Sequence, residues 1–120
     1  MLVFTRALAL LTAGVTAAGA TGALAAPRAE SALECGIAAD MAVVAHSLAR
    51  EQVQRTKADT IMARIYDVSQ SDRAKELMQE ILDAAYVSSG VAAQNSGQQF
   101  AEDLFATCMK SGGDMDPVLG

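Results

Sequence analysis

Large apolar residues at Leu33, Ile37, Met41, Val44 and Leu48 recur every three or four positions, with Cys35, Ala38 and Ala45 beside them. That period lines up side chains on one face of an α-helix. Just upstream, Ser31 and Glu34 stand in the S-x-x-E spacing, in which the serine oxygen and the glutamate carboxylate satisfy each other's free backbone N–H groups. The pattern predicts a helix over about 32–50. "EQVQRT" breaks the pattern and reads as a turn. Thr56 and Asp59 open a second helix, with Ile61, Ile65 and Val68 expected inward beside Met62. "SQSD" ends it, and Ser71 or Asp72 caps a third. There Ala74, Leu77, Met78, Ile81, Leu82 and Ala85 form the most regular stripe in the chain. "SSG" closes that helix, since Gly90 suits a left-handed C-terminal position, and "VAAQNSG" is a loop. Ser96 and Gln99 cap a fourth helix, with Phe100, Leu104 and Cys108 on one face and Ala101 and Phe105 alongside. Gly112 and Gly113 stop it, and "DMDPVLG" is a tail.

Four capped apolar stripes and no alternating pattern predict an all-α fold. Short connections favour a small antiparallel bundle of about four helices. Gly36, next to Cys35, is expected to let the fourth helix approach the first closely.

The first thirty residues change the picture. "MLVFTRALALLTAGVTAAGATGALAAPRAE" carries one charge, Arg6, before a long apolar run, and Ala23, Leu24 and Ala25 supply a small-residue cleavage site. This is the layout of a Sec-type signal peptide, predicted to be cut after Ala25. A retained membrane anchor is the alternative by length, disfavoured by the alanine, glycine and threonine content. Lipidation of Cys35 is disfavoured by Glu34 before it. Residues 26–120 then form one helical domain, with 114–120 as its tail. The domain holds eight basic and fourteen acidic residues, a net charge of −6. Such an acidic chain is a poor ligand for nucleic acid or an anionic membrane, so neither nucleic acid nor stable membrane insertion is expected.

The domain has two cysteines, Cys35 and Cys108. An even count in an exported chain reads as a disulfide, and here it would join the first and last helices. A catalytic or redox thiol would need His46, which lies about 16 Å along the helix from Cys35. A zinc site would need more ligands at short spacing. His46 has no second histidine or nearby carboxylate and is read as a half-exposed helix residue. The methionines Met41, Met62, Met78, Met109 and Met115 read as core filler rather than copper ligands. Asp114 and Asp116 are too few oxygens for calcium. No catalytic residue, metal ligand or cofactor is assigned. An apolar patch of Phe105 with Met115, Val118 and Leu119 is the candidate partner surface; the alternative is that Phe105 packs on the first or third helix and the tail covers its own core.

"KADTIMARIYDVS", "AKELMQEILDAAY" and "FAEDLFATCMKSGGDMDPVLG" resemble segments of small exported helical proteins of proteobacteria. The resemblance implies an exported helical protein and carries no activity. In size and compartment the chain is similar to the periplasmic acid-stress chaperones of the HdeA type, with a much longer cysteine spacing. The expected function is a non-enzymatic periplasmic protein that binds another protein or maintains the envelope. The alternatives are an immunity or inhibitor protein against a periplasmic hydrolase, and a metal- or small-ligand-binding protein.

Overall fold

A computed structural model describes residues 29–87 and 95–119. The proposed signal peptide, "SSG" itself and most of the "VAAQNSG" loop lie outside the described residues; the third helix ends before "SSG", at Tyr86, where Val87 is already extended. Among the described residues the chain is all-α: α1 (Ala32–Arg50), α2 (Arg55–Tyr66), α3 (Asp72–Tyr86), α4 (Gly97–Lys110) and a final turn, α5 (Asp116–Leu119). A short 3₁₀ turn, Val68–Gln70, joins α2 to α3.

Three helix starts are capped as the sequence predicts. Ser31, Ser71 and Ser96 accept hydrogen bonds from the backbone N–H groups of Glu34, Ala74 and Gln99. Each cap satisfies a donor that the first helical turn leaves free. The start of α2 differs from expectation. It opens at Arg55 with no side-chain cap, and Thr56 lies inside the helix, where its carbonyl accepts the Thr60 hydroxyl. The arginine holds this end instead. Its guanidinium reaches Asp59, Asp83 and Gln79 and stands 5.9 Å from the Tyr86 ring centroid. The "EQVQRT" turn closes without glycine because Gln52 takes a left-handed φ of 61° and Val53 N–H bonds back to Leu48 O.

The core is centred on Phe100, Leu104, Ile81, Leu82, Met41, Met62 and Met115, all fully enclosed. α3 and α4 bury the residues that their stripes predict. α1 and α2 do not. On α1 the enclosed residues are Cys35, Ala38, Met41, Ala42, Ala45 and His46, while Leu33 is 74% exposed and Ile37 is also exposed. The alanines face inward because the disulfide fixes the helix's rotation and small side chains allow close packing. On α2, Ala58 and Met62 are buried, Ile65 is 54% exposed and Ile61 is half-buried. Val68 is buried from the 3₁₀ turn rather than from the helix.

The tail covers its own core, which is the alternative to a free partner surface. Gly112 and Gly113 take φ values of 64° and 99° and turn the chain back. Gly113 N–H bonds to Cys108 O, and its carbonyl accepts Ala29 N–H at 3.0 Å. A Cβ on Gly113 would sit 2.0 Å from Ala29 O, so glycine is required there. Met115 then enters the core, and Val118 and Leu119 pack half-buried against it.

Candidate functional site

Cys35 of α1 and Cys108 of α4 form a disulfide, with Cα atoms 5.7 Å apart and 73 residues between them in sequence. Eleven residues further along α1, His46 meets the start of α4: its ring lies against Gly97, and Nε2 is 2.8 Å from Asn95 O. Eleven residues also separate Cys108 from Gly97, so the two anchors define one register. In it Phe105 of α4 stands level with Ala38 of α1.

This register builds a face that no helix covers among the described residues. Met109 borders Ala32 and the disulfide, and Gln98 borders Val43 and Ser47. Gln98, Phe105 and Met109 fall on one row of α4 by helical spacing, so Phe105 lies between those two contacts. Val43 is 39% exposed, Phe105 40% and Met109 48%. Beside them, Gly36 opens onto space: a Cβ there would meet nothing within 4 Å. The expected close approach of α4 to Gly36 is therefore not made. α4 meets α1 along the side that carries Cys35 and His46 instead.

The other sequence candidates are placed as follows. Met115 is fully enclosed and is removed from any partner surface, since the left-handed glycines fold the tail inward. Val118 and Leu119 are half-buried on the core, away from any free tail. His46 is buried rather than half-exposed, and its ring pins the start of α4. Met41, Met62, Met78 and Met115 are core residues, and Met109 alone among the described methionines is exposed. Asp114 Oδ1 accepts Asp116 N–H and shapes the last turn. No group of three or more His, Cys, Asp or Glu stands close enough to hold a metal ion among the described residues.

Two polar pairs tie α1 to its other neighbours. Glu34 accepts a hydrogen bond from Arg73 at the start of α3 and another from Glu30 N–H at 2.8 Å. The Arg73 bond, then the backbone bond, hold its carboxyl below the usual range. A cleft of about 140 Å³ lies beside this pair, walled by Ile37, Met41, Ala74 and Leu77. Further along, Tyr66 of α2 donates to Asp40 Oδ2 at 2.5 Å. Burial, then the Asp40 carboxylate, push the phenol up.

Of the residues on this face, sequence reasoning names Phe105 as a candidate and Gly36 for a different role, and does not name Val43 or, as a surface residue, Met109. The available signal was the seven-residue spacing of Gly36, Val43 and Arg50, which places them in one line on α1. α1 is long and apolar enough to cross a membrane by length and composition, and one third of its most apolar window is buried within the fold. No family model, no curated protein and no solved structure matches the chain.

Proposed function

We propose that the chain is a small exported, non-enzymatic protein of the periplasm that works by binding protein. Its domain is an antiparallel bundle whose α1 and α4 are locked by Cys35–Cys108, in line with the small exported helical proteins its segments resemble. The apolar run in residues 1–25 and the disulfide are compatible with export. The observation that carries the binding reading is the outward face of α1 and α4, where Val43, Phe105 and Met109 stand exposed beside the open Gly36. Exposed apolar residues gathered on one face mark interaction surfaces, whereas scattered ones do not. A rigid pair of helices linked covalently presents such a face without an ordering cost at each encounter.

The test is cross-linking in intact periplasm followed by purification of the tagged chain. A specific cross-linked complex is expected. Phe105→Asp or Met109→Asp should lower its yield about tenfold or more, an effect of hot-spot size. Ile65→Asp, a charge placed on an exposed apolar position of α2, should leave it unchanged. Yields insensitive to positions 105 and 109, or no complex at all, would contradict the reading.

A further inference from the structure

We infer that the occupant of this face is a second copy of the same chain, docked by α1 against α1 about a two-fold axis at Val43. The inference rests on the protein-binding reading above and names its partner.

Gly36 is the first observation. Glycine inside a helix costs stability relative to alanine, because the unfolded backbone loses more freedom. Among the described residues nothing repays that cost. Gly36 needs no left-handed φ, and a Cβ would meet no neighbour within 4 Å. A glycine on an open helix face does have a use where a second chain comes close.

Spacing and charge identify that chain. Gly36, Val43 and Arg50 are seven residues apart and drift only about 20° per step round the helix. Val43 is the midpoint, so a two-fold axis through it laid across antiparallel copies of α1 sets Arg50 of each copy over Gly36 of the other. Arg50 is exposed and makes no ion pair among the described residues. One turn beyond Gly36 stands Asp40, which gives one oxygen to Tyr66 and keeps the other for an incoming guanidinium. The notch left by the missing side chain takes the stem of Arg50, and the carboxylate takes its head. Phe105, level with Ala38, adds an exposed ring from α4 on the same side of the pair. The order along the helix is acid and notch, apolar centre, base. Read backwards from the centre it is its own complement, as an interface with two-fold symmetry requires. Ser47 then falls opposite Ala39, so no charge is trapped at the centre.

The experiment uses the oxidised mature chain. Sedimentation across a concentration series should show a monomer–dimer equilibrium. Gly36→Leu should weaken dimerisation by about tenfold or more while leaving the melting temperature of the monomer unchanged or higher, since the added side chain points into open space. Arg50→Glu should weaken it likewise. Val43→Cys should give a disulfide-linked dimer under mild oxidation, and Ile65→Cys, on α2 and more exposed, should not. A wild-type chain that stays monomeric, or Val43→Cys linking no better than Ile65→Cys, overturns the two-fold dimer. If the monomer then captures a different periplasmic protein and loses it on Phe105→Asp, the second-copy inference fails and the binding reading stands. If neither self-association nor capture responds to positions 36, 43 and 105, both fail.

Discussion

α3 and α1 are both strongly patterned helices, yet only α3 buries the residues its pattern announces. In α3 the large apolar side chains are set among Asp72, Arg73, Lys75, Glu76, Gln79, Glu80 and Asp83, so only one orientation is cheap. Leu77, Met78, Ile81 and Leu82 accordingly face the core. α1 is apolar on nearly every side, and its rotation is decided by what α4 can approach. The answer is Cys35, Ala38, Ala42 and Ala45, which bring the helix close enough for the disulfide, while Leu33, Ile37 and Val43 are left facing outward. Burial follows contrast between faces where contrast exists. Where it does not, covalent and steric constraints choose.

The largest expected effect is at the bond that fixes α1. Replacing both Cys35 and Cys108 with serine should cost about 4 kcal/mol in denaturant unfolding, from the chain entropy released over a loop of this length. A loss under about 1 kcal/mol would mean that the alanine seam alone holds α1 in place.

Next come the apolar side chains on the two helices. Ile81→Ala should cost about 2–5 kcal/mol, because it empties an enclosed site. Leu33→Ala should stay within about 0.5 kcal/mol, because the side chain is in solvent. Equal losses would erase the difference between the two helices.

These two helices also show what was legible in the sequence. The four helices, the three serine caps, the core of α3 and α4 and the pairing of the cysteines follow from local pattern and cysteine count. The inward face of α1 does not, because alanine carries little hydrophobic signal and its burial depends on a helix far away in sequence, the disulfide joining the two across 73 residues. The enclosed Met115 was hidden for a related reason. Its burial depends on two left-handed glycines and on Ala29, none of which appears in a periodic pattern. At the candidate site Phe105 was readable as an apolar residue off the main stripe. Gly36 became a candidate only once the packing showed that none of the described residues occupies the space above it.

A smaller effect separates two glycines. Gly113→Ala should lose more than about 1 kcal/mol, since it combines a left-handed φ with a clash against Ala29 O. The melting curve of that variant checks the claim that the tail is part of the fold; an unchanged midpoint would return the tail to solvent.

The smallest effects are in pH dependence, where α1 meets α2 and α3. Glu34 has a lowered pKa in the folded chain, so its contribution is present above the ordinary glutamate range and fades as pH falls through the folded value. Tyr66 is raised, so its contribution is present below the ordinary tyrosine range and fades as pH rises above it. Glu34→Gln should flatten the acid limb of stability against pH, and Tyr66→Phe the alkaline limb. Unchanged limbs would show that these pairs do not couple to folding.

The most direct test of the two-faced α1 is one paired measurement of unfolding free energy, on dilute monomer, for leucine placed on each face. Ala42 is fully enclosed against its neighbours and Gly36 is open. Ala42→Leu should cost about 1–3 kcal/mol from overpacking, and Gly36→Leu should cost nothing or add about 0.5–1 kcal/mol from helix propensity. Equal losses at both positions, or a loss at Gly36 alone, would contradict the account.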